Sequence, residues 1–236
     1  VKTLVMVPTF NEIETLERSV TELFRHNPDV ELLVIDDNSP DCTGDLADRL
    51  ARESSKTHVL HRSGKQGLGK AYLAGINWGL ENGFELLVQM DADGSHRAED
   101  LPKLIVKASL DGLVIGSRWI PGGAVHNWPW YRKAISRFGN FYAAKMLGSN
   151  LGDLTAGFRV YGKELLLQLP LQNVAAQGYG FQVEMTRNVL SAGKSVIEVP
   201  IHFVERENGS SKMTTAIVLE AFVLATKWGF ERLIRR

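Results

Sequence analysis

Residues 86–96 read LLVQMDADGSH. An apolar run ends in two carboxylates one residue apart, followed by glycine, serine and histidine. The run has the length of a buried strand. Two anions at its end repel each other, so the chain needs either a turn that parts them or a cation that offsets them.

The same rhythm recurs on both sides of this stretch. TLVMVP (3–8) precedes a helical pattern over 12–25, and ELLVID (31–36) precedes the turn DNSPDCTG and a helix over 44–53. THVLH (57–61) precedes GKQGLGK and an alanine-rich helix over 70–82. ELLVQM (85–90) precedes a helix over 98–108, and GLVIGS (112–117) follows. Apolar strands alternating with helices predict an α/β fold, a doubly wound and mostly parallel sheet with helices on both faces. Ligands of such sheets gather at the carboxyl ends of the strands. Asn11 and Glu12, Asp36 and Asp37, and Asp91 and Asp93 all fall at such ends.

Composition bounds the function. The chain has 236 residues, 44% of them hydrophobic, enough for one domain with a sizeable core. Its 27 basic and 27 acidic residues cancel, which argues against a nucleic-acid partner. The lone cysteine, Cys42, excludes an internal disulfide framework and fits a reducing compartment. The chain opens at Val1 rather than methionine, which leaves room for residues or a domain upstream. No run of apolar residues is long enough to span a bilayer.

Asp91-x-Asp93 supplies the oxygen donors that Mg²⁺ or Mn²⁺ favours while leaving positions for phosphate. The plainer reading is a strand cap at Asp91 and a turn through Gly94. GKQGLGK (64–70) matches the phosphate-loop spacing, but Ala71 stands where a hydroxyl should reach magnesium. A P-loop-like nucleotide-binding protein is therefore the minor alternative, and glycines permitting a tight turn are the plainer account of the motif.

The second half differs in character. From Gly112 to Gly152 there is no acidic residue, yet Arg118, Arg132, Lys133, Arg137 and Lys145 occur. Within this window WIPGGAVHNWPWYRK (119–133) sets Trp119, Trp128, Trp130 and Tyr131 beside cations. A membrane surface favours that mixture, and packing of the tryptophans under a long loop is the alternative. Arg132 and Ser136 are one helical turn apart and can face one anion. Residues 214–236 form an amphipathic helical pattern, fit to lie in an interface or to pack on the domain. Arg206 and Lys212 sit in the polar loop VERENGSSKM (204–213), which can close over an anionic substrate or remain solvated.

Together VPTFNE, VIDDNSPDCTG, RSGKQGLGKAYLAG, QMDADGSH, GSR, RKAISRFGN, DLTAGFRVY, GYGFQVEM and VERENGSSKM resemble the polyprenyl-phosphate (dolichol-phosphate) mannose synthases. These are GT-A type, family 2, inverting glycosyltransferases, and the resemblance runs from about Val5 to Met213. It implies a GT-A catalytic domain over 1–213, with an acceptor region over about 118–150; the amphipathic helix over 214–236 that follows is expected to form a membrane-facing helical part, interfacial or packed on the domain. It also implies transfer of mannose from GDP-mannose to a polyprenyl phosphate with Mg²⁺ or Mn²⁺, at the cytoplasmic face of a membrane. The attachment would be peripheral, with room for a membrane-anchoring subunit or domain. A family 2 enzyme using another donor, such as UDP-glucose, is the alternative.

By the same resemblance Pro8, Phe10 and Glu12 match a nucleotide-binding segment, and Ile35 and Asp37 flank the guanosine. Asp91, Ala92, Asp93 and Ser95 match the segment for metal and diphosphate, with Asp91, Asp93 and Ser95 as the metal set. Arg118, Arg206 and Lys212 match cations over the sugar diphosphate, and Arg132 and Ser136 match the acceptor-phosphate site. Asp93, Arg118, Arg132 and Ser136 are the expected catalytic group, and His96 is expected to be structural. Cys42 departs from the family glycine, so its turn must tolerate a side chain.

Overall fold

The computed structural model describes residues 1–176, 178–205 and 215–234. In chain order the elements are β1 (Thr3–Thr9), α1 (Leu16–His26), β2 (Glu31–Asp36), α2 (Thr43–Glu53), β3 (Thr57–His61) and α3 (Leu68–Glu81). Next come β4 (Leu86–Gln89), α4 (Leu101–Lys107), β5 (Leu113–Ser117), β6 (Ala124–His126) and α5 (Trp130–Leu147). The chain continues through β7 (Arg159–Gly162), α6 (Lys163–Leu166), α7 (Gly178–Ser191), β8 (Val196–Pro200), β9 (His202–Val204) and α8 (Thr215–Ile234).

Seven strands form one sheet in the order β3-β2-β1-β4-β7-β5-β8, and β6 pairs with β9 in a parallel ribbon. Alternation along the central strands divides the core between two faces. Val5, Val7, Leu32, Val34 and Val88 pack with Leu16, Val20 and Leu23 of α1 and Leu101 of α4. Leu4, Met6, Leu33, Ile35 and Leu87 pack with Tyr72 and Ile76 of α3 and Phe181 and Met185 of α7. Each such buried aliphatic side chain contributes about 1.5–3 kcal/mol, which is why the sheet is covered on both sides. Helix α8 packs against α5 and α7, where Trp228 and Ala225 join Ala143, Ala144, Leu154 and Val183.

The expected doubly wound, mostly parallel sheet is present, with one insertion that alternation did not announce. β7 runs antiparallel to both β4 and β5, so Val160 lies opposite Val88 on one side and Val114 on the other. Its strand is four residues long and begins with arginine, too short and too polar to stand out. At its end a Cβ on Gly162 would lie 2.2 Å from the carbonyl oxygens of Ser109 and Leu110. Backbone cannot yield as a side chain does, so Gly162→Ala is expected to cost about 3 kcal/mol. A thermal melt that leaves the midpoint unchanged would refute that packing.

Strand order reverses between β1 and β4, the point at which sheets of this kind take ligands beyond the carboxyl ends of their strands. No helix among the described residues is long and apolar enough to cross a membrane.

Candidate active site

Three strand ends build the rim. After β1, Phe10 is half-buried and carries the Lys65 ammonium 4.3 Å above its ring, while Pro8 is half-buried just before it. Asn11 takes the left-handed conformation (φ 58°) and donates its N–H to Ser39 Oγ at 3.1 Å. The Glu12 N–H donates to Thr43 Oγ1 at 3.0 Å, and its carboxylate accepts from Thr15 Oγ1 at 3.2 Å. The β1 loop is thereby pinned to the β2 turn.

After β2, the Asp36 carboxylate accepts from Ser39 N and Oγ and from Thr9 Oγ1, at 3.1, 2.6 and 3.2 Å. Asp37 is ion-paired with Arg62. Burial raises the Asp37 pKa; Arg62 opposes the shift and neighbouring Asp36 adds to it. Ile35 is fully buried in the core, so it offers the rim only its backbone. Cys42, at the start of α2, sits at φ 66°, the left-handed region that the family glycine would enter without strain. Burial pushes the Asp41 carboxyl up, but hydrogen bonds from the Thr43 hydroxyl and from the Thr43 and Ile13 amides prevail and lower it.

After β4 the two carboxylates flank Ala92, and the chain turns on through Gly94 (φ 74°). Asp93 Oδ1 accepts the Ser95 N–H at 3.0 Å. The Asp91 N–H donates to His96 Nδ1 at 3.0 Å, which makes that nitrogen an acceptor and leaves the ring proton on Nε2. His96 is buried against Phe158, ring centroids 5.0 Å apart, and so braces the turn. Ala92 is buried, and its carbonyl accepts from Ser19 Oγ of α1 at 2.8 Å. The cap-and-turn reading and the cation-seat reading thus describe the same atoms.

A divalent cation can be tested against this seat. Asp91, Asp93 and Ser95 are all hard oxygen donors, and the buried Ser95 Oγ has no hydrogen-bond partner among the described residues. A buried hydroxyl left unmatched beside two carboxylates suits Mg²⁺ or Mn²⁺. Among the described residues no group of three or more histidine, cysteine or acidic side chains could enclose a metal by itself. Two carboxylates and a hydroxyl would leave the rest of a cation's shell to water or to ligand oxygens.

Arg118, at the end of β5, is buried. Its Nε and Nη2 donate to Asp153 at 2.7 Å each, its backbone N–H reaches the same carboxylate at 3.0 Å, and Nη2 also reaches Thr155 Oγ1 at 2.9 Å. Asp153 is held in turn: Glu198 of β8 accepts the Gly152 and Asp153 N–H groups at 2.8 and 2.9 Å. Arg132, in the first turn of α5, lies 4.0 Å from the Trp128 ring centroid and is ion-paired with Glu205. Ser136 is half-buried one turn further along α5. Arg206 and Lys212 lie outside the described residues. The chain reaches them from β9, whose Val204 N–H donates to the Ser95 carbonyl at 3.3 Å.

The aromatic loop divides. Trp128 is buried against Phe203, whereas Trp130 is 80% exposed. Asp153, Glu198, Glu205, Arg62 and Tyr72 support the expected site residues, but sequence reading did not single them out. Four of them lie inside stretches that carry the resemblance, Arg62 and Tyr72 in RSGKQGLGKAYLAG, Asp153 in DLTAGFRVY and Glu205 in VERENGSSKM, whereas Glu198 lies in none.

Known proteins can now be set beside this geometry. The profile of Glycosyl transferase family 2 matches residues 4–169. A Micrococcus luteus protein described as undecaprenyl-phosphate mannosyltransferase is 51% identical over 228 residues, covering 97% of this chain and 94% of its own. A Mycolicibacterium smegmatis protein described as polyprenol monophosphomannose synthase is 48% identical over 231 residues, covering 97% of this chain and 87% of its own. Among solved structures, glucosyl-3-phosphoglycerate synthase from Mycobacterium tuberculosis shares the fold at TM-score 0.71 and 18% identity, over 97% of this chain and 80% of its own. A Pyrobaculum calidifontis mannosyltransferase in complex with GDP-Man and Mn²⁺ does so at TM-score 0.57 and 17% identity, over 99% and 74%. These matches set aside the P-loop alternative; in GKQGLGK, Gly67 takes a positive φ at the entry to α3 and Gly69 lets that helix approach Phe181. The chain is a glycosyltransferase and belongs to glycosyl transferase family 2.

Proposed function

We propose that the protein transfers mannose from GDP-mannose to a membrane polyprenyl phosphate, with inversion at the sugar. One observation carries this reading: an all-oxygen seat at the β1/β4 reversal of strand order shares the fold with Arg132 on an aromatic, cation-bearing helix. The names of the M. luteus and M. smegmatis relatives, undecaprenyl-phosphate mannosyltransferase and polyprenol monophosphomannose synthase, support the acceptor class and the mannosyl group. The Mn²⁺ and GDP-Man of the P. calidifontis structure are compatible with the metal and donor.

Two polyanions must meet, and the chain's own groups divide that task. Asp91, Asp93 and Ser95 would hold Mg²⁺ or Mn²⁺, which when bound neutralises charge on the departing diphosphate. Pro8, Phe10, Glu12, the Ile35 backbone and Asp37 line the nucleotide side. Arg118 would meet the sugar diphosphate, the role that the resemblance also gives Arg206 and Lys212, and Arg132 with Ser136 would receive the acceptor phosphate. A phosphate monoester has a second pKa of about 6 and is already mostly dianionic at neutral pH, so the attack requires no general base. Displacement opposite GDP turns an α-mannoside into a β-mannosyl phosphate.

Residues 1–213 then form the catalytic part, and α8 with α5 forms the lipid-facing part, working peripherally at the cytoplasmic face. On α5 Trp130, Tyr131, Ile135, Phe138 and Phe141 are exposed, as are Val223 and Phe230 on α8. Aromatic rings set among Lys133, Arg137 and Lys145 suit headgroup depth.

Purified protein given labelled GDP-mannose and a short polyprenyl phosphate is expected to make labelled lipid only with Mn²⁺ or Mg²⁺. Preferential transfer from UDP-glucose would overturn the donor. Arg132→Ala is expected to raise the acceptor KM about tenfold or more, the scale of a lost charge-assisted pair, with the GDP-mannose KM unchanged. An effect confined to the donor would remove Arg132 from the acceptor site.

A further inference from the structure

GKQGLGKAYLAG (64–75) has the glycines of a phosphate loop without its hydroxyl, and the structure shows a different use for them. Gly67 (φ 97°) turns the chain sharply into α3. Gly69 then passes so near α7 that a Cβ would lie 2.8 Å from Phe181 Cδ2. That approach sets the Tyr72 ring almost parallel to Phe181, at a 10° interplanar angle with centroids 6.2 Å apart. Tyr72 is fully buried, and its hydroxyl donates to Asp91 Oδ1 at 3.1 Å.

We infer that Tyr72 is a positioning residue of the donor seat. The phenol clamps one oxygen of Asp91 from beneath the sheet, while His96 takes the Asp91 backbone N–H from the other side. Asp91 is thereby held at both main chain and side chain. A carboxylate anchored at one oxygen is restricted in the rotamers it can visit. Without the hydroxyl that anchor is lost, and the cation must offset the loss on binding. The inference rests on Asp91 belonging to the metal and diphosphate seat.

Tyr72→Phe deletes the hydroxyl and keeps the ring that Phe181 stacks on. Calorimetric titration with GDP in the presence of Mn²⁺ is expected to show affinity about tenfold weaker than wild type, the scale of a lost ligand-orienting partner. The acceptor KM should stay at its wild-type value. Tyr161→Phe serves as the control, because its hydroxyl lies 3.3 Å from Arg159 Nη1 in the same buried layer. It should leave Mn²⁺-dependent GDP binding unchanged. Wild-type affinity in Tyr72→Phe, or an equal loss in Tyr161→Phe, overturns the positioning role alone. Wild-type protein that binds no GDP with Mn²⁺ overturns the donor seat and this role with it.

Discussion

Asp93→Ala is expected to lower kcat/KM about a thousandfold while the protein stays folded. The expectation has two parts. The first is chemical: in the proposed function Asp93 helps to hold the cation, and removing one preorganised stabiliser of developing charge costs two to three orders of magnitude. The second is structural: Asp93 is only half-buried, and it accepts the Ser95 N–H at 3.0 Å. Losing that bond costs about 1 kcal/mol, too little to unfold a domain. Asp93→Asn separates the two parts. It keeps an oxygen for the Ser95 N–H but lacks the charge, so it should retain the wild-type melt and share the loss of transfer. A folded Asp93→Ala protein with near-normal turnover in Mn²⁺ would remove Asp93 from the metal set.

The largest expected effect on stability belongs to Arg159 at the start of β7. Its side chain is fully buried. The guanidinium donates to the carbonyls of Leu154, Ala156 and Gln182 at 2.7, 2.7 and 2.9 Å. It also reaches the hydroxyls of Tyr161 and Thr186 at 3.3 and 3.0 Å. Oxygen dipoles from β7, α7 and the 154–156 segment thus solvate one cation in place of water. Arg159→Met fits the volume but strands those carbonyls, each at about 1–3 kcal/mol, so the expected loss is about 3–5 kcal/mol. Arg159→Lys should recover little, because an ammonium cannot span five acceptors as a planar fork does. Urea melts of the three proteins check this; a loss below about 1 kcal/mol in Arg159→Met would show that the network is dispensable. Arg159 also anchors the segment that brings Thr155 to Arg118, so partial unfolding there should reach the site.

The strands that carry the nucleotide half were legible because alternation and turn residues agree along them. β2 and β3 fall at 31–36 and 57–61, as their apolar runs indicate. The position of Asp91 and Asp93 at a strand end was legible for a related reason: two acids cannot hide at the end of an apolar strand. Illegible features depend on partners far along the chain. Tyr72 meets Asp91 across 19 residues, Arg118 meets Asp153 across 35, and Arg132 meets Glu205 across 73. The sorting of Trp128 from Trp130 depends likewise on Phe203, which arrives with β9. Local pattern holds no record of such meetings.

The late antiparallel strand also bears on how the protein is made. β3, β2, β1 and β4 are contiguous in the first 89 residues and can pair as they leave the ribosome. β5 emerges next but has no neighbour in that sheet until β7, beginning at residue 159, slides between it and β4. During that interval β4 presents a bare hydrogen-bonding edge, the kind of edge on which nascent chains join one another. Phe158, which backs His96 beneath the two carboxylates, is delivered with the same strand. A growing chain therefore holds a nearly complete nucleotide half before its seat has been braced, and one four-residue insertion both seals the sheet and finishes the seat.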